Sequence, residues 1–117
     1  MKKSIFLFFA AILCAFSMNV QADNLKGGEV LYLSPNSNWT QANARFAIYL
    51  FGGTSGEKWV SMTKSGNYYM ATIPAGDYEN LIFCRMNPST TENGWSNKWN
   101  QSGDLSFDQI KNLCTIN

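Results

Sequence analysis

Beyond residue 22, the apolar residues of this chain never keep a helical period for longer than about one turn. The chain is therefore confined to strands, because each apolar run is short and closed by turn-forming residues. Glu29 to Leu33 runs into Ser34-Pro35-Asn36-Ser37-Asn38. Arg45 to Phe51 ends at Gly52-Gly53-Thr54-Ser55-Gly56. Glu57 to Thr63 alternates and meets the hairpin-type turn Lys64-Ser65-Gly66-Asn67. Asn67 to Ile73 is rich in Tyr and β-branched residues and stops at Pro74-Ala75-Gly76-Asp77. Leu81 to Met86 is the most apolar run and reads as a central strand. Asp104 to Phe107 and Leu113 to Ile116 can each add a short strand, with room for one helical turn from Phe107 to Leu113. This pattern predicts an all-β fold, an antiparallel immunoglobulin-like β-sandwich of six to seven short strands. The buried-Trp and paired-Cys spacing of antibody domains is absent, so the term describes architecture only.

Residues 1–22 read as a signal peptide. Lys2 and Lys3 begin it, Ile5 to Phe16 is its apolar stretch, and Val20-Gln21-Ala22 supplies the small-residue cleavage pattern. The apolar stretch is too short for a membrane span. Cys14 follows Leu13, which is too large for a lipoprotein cleavage site, so a free secreted protein is expected. Residues 23–117 then form a single domain with one modest core. Two of the nine basic residues fall in the leader, which leaves seven against eight acidic residues. That balance argues against nucleic acid or an acidic lipid surface as partner.

Histidine is absent, so Ser-His and Cys-His nucleophilic arrangements have no base. No glycine-rich phosphate loop opens a helix. A glycosidase needs two carboxylates across a cleft, and a sandwich of this size has little room for one. The acidic residues are read as solvated turn residues. Asp104 and Asp108 lack the oxygen-ligand pattern of a Ca²⁺ loop. No catalytic residue, metal or cofactor is expected. Cys84 and Cys114 remain after the leader is removed. A bond between them would close a loop of about 30 residues, worth roughly 3–4 kcal/mol on the loop-entropy model. The alternative is two small buried hydrophobes. Their spacing excludes neither.

Aromatic content exceeds what a core needs. Residues 23–117 hold four Trp, five Tyr and four Phe. Phe46, Phe83 and Tyr69 are explained as core. In RFAIYLF, Tyr49 and Phe51 fall on the face opposite Phe46 and Ile48. Trp59 alternates away from Val60 and Met62. Trp99 lies among Lys98, Asn100 and Gln101, whereas Trp39 and Trp95 are better read as core plugs or loop anchors. Arg85 interrupts an apolar strand and is read first as a structural ion-pairing residue. Aromatic faces beside amides and hydroxyls suit a sugar. The ring packs on the C–H face of a pyranose while Asn, Gln and Lys bond its hydroxyls.

Several ordered pieces resemble a known group. They are Tyr32 with Pro35 and Trp39, Phe46-Ala47-Ile48-Tyr49, Trp59 with Met62, Tyr68-Tyr69, and Gln101 with Asp104. Their layout is similar to the starch-binding carbohydrate-binding modules of families 25 and 26. Ile82-Phe83-Cys84-Arg85-Met86-Asn87-Pro88 with Trp95-Ser96-Asn97-Lys98-Trp99-Asn100-Gln101 resembles modules appended to secreted bacterial α-amylases and surface proteins. The resemblance implies an immunoglobulin-like sandwich that binds α-1,4-glucan without hydrolysing it. It implies ligand contacts at Tyr49, Phe51, Trp59, Trp99 and Gln101, with Tyr49 and Trp59 the best matched. Related modules continue to a further strand with a Trp, so an exposed edge is expected near Cys114-Thr115-Ile116. The expected partner is polysaccharide, alone or together with a secreted amylase or surface protein. The alternative is a structural or protein-interaction module on the same sandwich without a sugar site.

Overall fold

The computed structural model describes residues 24–107 and 113–116. Residues 1–22, read from sequence as a signal peptide, and Asp108 lie outside these residues. The described chain forms β1 (Val30–Ser34), β2 (Arg45–Phe51), β3 (Lys58–Ser61), β4 (Thr63–Ser65), β5 (Tyr68–Thr72), β6 (Asn80–Met86), β7 (Lys98–Gln101) and β8 (Leu113–Thr115). One sheet has the order β4-β5-β1-β8 and the other β3-β2-β6-β7. Among the described residues no helix is long and apolar enough to cross a membrane.

The core lies between the sheets, where strand alternation puts it. Phe46, Ile48 and Leu50 of β2 and Leu81 and Phe83 of β6 face Leu31 and Leu33 of β1 and Ala71 of β5, all buried. Truncating Phe46 or Phe83 to Ala would cost about 3–5 kcal/mol. Trp39 plugs one end, its ring 6.2 Å from Phe46 and nearly parallel to it. β6 is interior, between β2 and β7, as its composition predicts.

Several details differ from the sequence expectation. The run from Glu57 to Thr63 is two strands in two sheets. β3 pairs with β2, and β4 pairs with β5. The chain changes sheet at buried Met62, whose N–H still bonds the Phe46 carbonyl at 2.9 Å. This split, together with Lys98–Gln101 forming β7 in a stretch read as polar loop, brings the number of strands to eight. Secondly, β8 pairs with β1 in parallel, with Leu33 opposite Cys114, so the sandwich is mainly rather than wholly antiparallel. Thirdly, Asp104 to Phe107 contributes only a bridge, Leu81 to Leu105.

Of the two readings left open for Cys84 and Cys114, the structure has the unbonded one: both thiols are free and buried. Cys84 points outward from β6 into a separate cluster with Ala47, Tyr49, Ile82 and Met86. Cys114 points inward from β8 into the main core. The β2-β6 layer stands between the two environments. Burial pushes the Cys84 thiol up to about 12 and raises that of Cys114 as well, so both act as small apolar groups.

Turn chemistry fixes the ends. Gly66 has φ 62 and opens the two-residue β4–β5 hairpin, a position where only glycine avoids strain. Gly53 has φ 70, and a Cβ there would lie 2.2 Å from the Asp77 carbonyl oxygen. This close approach brings the Gly52–Gly56 loop against the segment before β6. Asp77 locks it there. Its carboxylate accepts from Thr54 N, Thr54 Oγ1, Asn24 Nδ2 and Lys26 Nζ at 2.8–3.1 Å. These partners hold the Asp77 carboxyl well below the usual carboxylate range, with Lys26 the largest cause.

Candidate ligand-binding face

The outward face of the β3-β2-β6-β7 sheet carries the site. Its apolar half follows from β2, whose odd positions Ala47, Tyr49 and Phe51 point away from the core. Pairing with β3 sets Trp59 directly opposite Tyr49. The Tyr49 and Trp59 ring centroids are 5.0 Å apart, and Tyr49 and Phe51 are 5.5 Å apart and nearly parallel. Cross-strand aromatic pairs of this kind stabilise a sheet by about 0.2–1 kcal/mol each.

The loop between β6 and β7, residues 87–97, folds back over this face. Arg45 at the start of β2 holds it. Arg45 Nε donates to the carbonyls of Asn87 (3.0 Å) and Thr90 (2.6 Å), and Nη2 donates to that of Glu92 (2.7 Å). Nη1 donates to Asn93 Oδ1 at 2.7 Å, and Asn93 Nδ2 in turn donates to Ser61 Oγ at 3.1 Å. The guanidinium is thus solvated by carbonyl oxygens instead of a carboxylate, and burial lowers its pKa from the ordinary arginine value. The loop keeps its own shape through Asn97 Nδ2 to Glu92 O and Asn87 N to Asn97 O. Ala47, Cys84 and Met86 on this face are fully buried, a small second core under a long loop.

Trp95 ends the return path. Its ring stands 4.6 Å from Tyr49 and 4.9 Å from Trp59, at 65° and 67° to them. It is nevertheless 45 % exposed. Trp59 and Trp95 therefore make an open corner of two indole rings, floored by Tyr49. Tyr49 is only 9 % exposed and serves as floor. Burial first, and the neighbouring Glu57 carboxylate second, raise its pKa. On the far side, Lys98 Nζ lies 5.2 Å from the Trp95 ring and bonds Gln101 Oε1. Lys98 and Gln101 sit opposite Met86 and Cys84 in the ladder, which places both on this same face.

Of the residues predicted from sequence, Tyr49, Phe51 and Trp59 come together, and Gln101 joins them at the margin through Lys98. Trp99 does not. It lies at the opposite rim, its ring 4.7 Å from the Arg85 guanidinium carbon. Arg85 bonds carbonyl and amide oxygens in place of a carboxylate, which corrects its reading as half of an ion pair. Trp95 is the residue that sequence reasoning took for a plug or anchor. The signal available was its flanking pair, Gly94 and Ser96, which is unlike the surroundings of a core ring.

Comparison with protein-family models, with curated proteins and with solved structures finds no match. The face must therefore be interpreted by its own chemistry. Among the described residues no three Cys, Asp or Glu side chains converge as a metal site would require. Glu57 lies near the Tyr49 phenol at the platform edge. What the face offers a ligand is aromatic surface with hydrogen-bonding groups on either side.

Proposed function

We propose that this protein is a secreted, non-catalytic polysaccharide-binding module that takes starch-like α-glucan on the outward face of the β3-β2-β6-β7 sheet. The observation that carries this reading is the Trp59–Trp95 corner, in which exposed Trp95 is inclined at 67° to half-buried Trp59. A flat row of coplanar rings suits an extended, ribbon-like glycan. Two inclined rings suit a chain that turns between successive sugars, as an α-1,4-glucan does. Glu57 on one side, with Lys98 and Gln101 on the other, supplies acceptors and donors for sugar hydroxyls. The leader expected from the sequence puts the module outside the cytoplasm, where polymeric glucan is met. A secreted amylase or a surface protein is the partner class that such a module would serve.

Each stacked ring buries about 50–100 Å², worth roughly 1–2 kcal/mol. After association costs, this predicts Kd values on the order of 10 μM to 1 mM. Affinity electrophoresis through amylose, glycogen and a β-glucan tests the reading. Retardation is expected in the α-glucan gels. Trp59→Ala and Trp95→Ala should each weaken it by about 5–30-fold, following the per-ring energy, with the melting temperature nearly unchanged. Free migration in every gel would refute the proposal. No reducing sugar should appear on prolonged incubation with amylose.

One observation favours a second reading, a protein-interaction or structural module. Trp95 touches Tyr49 and Trp59 and closes the 87–97 loop, as an anchor would. In that case Trp95→Ala lowers the melting temperature by several degrees, and no glucan retards the wild-type protein.

A further inference from the structure

The rim opposite this site carries a second exposed tryptophan whose surroundings the first site does not use. Trp99 is 43 % exposed on β7, an edge strand. The β6–β7 register shifts between Arg85 and Met86. The irregularity turns Trp99 away from Lys98 and Gln101, as bulges commonly re-aim a side chain. Its ring stacks on the Arg85 guanidinium at 4.7 Å. That guanidinium is itself immobilised. Nε donates to Trp39 O at 2.8 Å, Nη2 to Gln41 O at 2.9 Å and Nη1 to Asn100 Oδ1 at 3.0 Å. Three bonds leave two of the five guanidinium N–H groups for other acceptors. The turn that Arg85 holds contains Ala42 (φ 60) and Asn43 (φ 56), two successive non-glycine residues in the left-handed region. Strain of this kind persists where surrounding contacts impose it, and it concentrates at functional sites.

We propose that Trp99, backed by Arg85 and followed by Asn100, is a second saccharide-contacting surface, so that one domain grips polysaccharide at two places. This inference rests on the glucan reading of the Trp59–Trp95 face. Beside the ring are the Asn100 amide and a cation bonded to neutral oxygens, a set that matches hydroxyls. The ring is already pinned, so little rotamer freedom is lost when a sugar packs on it. Arg85 lies with Phe46 and Phe83 on the core-facing side of its sheet, whereas Trp95 lies on the outer side. Strand and sheet spacing puts the two sites on the order of 15 Å apart, around the β7 edge. They therefore engage separate stretches of polymer, and the domain cross-links chains.

The test uses the four indole N–H signals of the protein under titration with maltoheptaose, together with retardation in glycogen gels. The Trp99 signal should shift along with those of Trp59 and Trp95. Trp99→Ala should cut glycogen retardation by about tenfold or more through lost avidity. It should leave maltoheptaose affinity at Trp59–Trp95 unchanged, and Trp99→Tyr should restore most of the retardation. If the Trp59 and Trp95 signals move while that of Trp99 stays fixed, the second surface is refuted and the first stands. If no indole responds to any glucan, both fall. Should Trp99→Ala lose its fold, the titration of the unmodified protein decides alone.

Discussion

Arg45 shows how one side chain can set a surface far from its own position. Its four bonds reach residues 87 to 93 and hold the strap that carries Trp95. Hydrogen bonds to a charged group are worth about 1.5–3 kcal/mol each where solvent is excluded, and less at a half-exposed site. Arg45→Ala should therefore cost roughly 2–4 kcal/mol. It should also weaken glucan retardation, because the Trp59–Trp95 corner opens. Arg45→Lys should rescue little, since a point charge cannot serve four diverging carbonyls. A urea titration of both variants checks the stability change. Equal stability in Arg45→Ala and wild type would show that the strap holds without it. Asp77 makes a second prediction at this scale, with a sign fixed by linkage. Its folded pKa is depressed, so the unfolded chain binds the proton more readily. The stabilisation is complete above the unfolded value near 4 and is lost as pH falls below it. Melting temperature should decline more steeply between about pH 4 and pH 2 in the wild type than in Asp77→Asn. Parallel curves would remove Asp77 as the cause.

At the scale of elements, what could be read from sequence and what could not have separable causes. The two faces of RFAIYLF were legible because alternation is a property of the strand itself. Phe46, Ile48 and Leu50 went inward, and Tyr49 stayed with Phe51 and met Trp59. The change of sheet at Met62 was not legible. Val60 and Met62 both point inward whichever sheet follows, so the pattern is identical with or without the crossing. The position of Trp95 was hidden for a different reason. Its loop is placed by an arginine bonding mainly to backbone carbonyls, and carbonyls leave no trace in a sequence. Trp99 was singled out by its polar neighbours alone, and these do not show the ladder irregularity between Arg85 and Met86 that turns it to the other rim. Both placements depend on long-range geometry, and both fall between Asn87 and Gln101, after the most legible strand.

For the whole molecule, the division into two apolar clusters determines how it responds to redox conditions. The main core joins both sheets, and the smaller cluster lies under the strap on one outer face. Cys114 belongs to the first and Cys84 to the second, with the β2-β6 layer between. An export route would offer oxidising conditions, yet linking these thiols would require pulling one of them through a packed sheet. The Cys84 thiol, pushed up to about 12, also holds almost no thiolate at neutral pH, and thiolate is the species that exchanges. Stability should therefore rest on burial alone. Residues 23–117 prepared without reductant should melt at the same temperature before and after a thiol reductant is added. After denaturation they should titrate two free thiols, and none should react rapidly in the native state. A fall of several degrees on reduction would mean that a bond had formed, because closing a loop of about 30 residues is worth roughly 3–4 kcal/mol. It would also mean that the two clusters are not separated as the strand register places them.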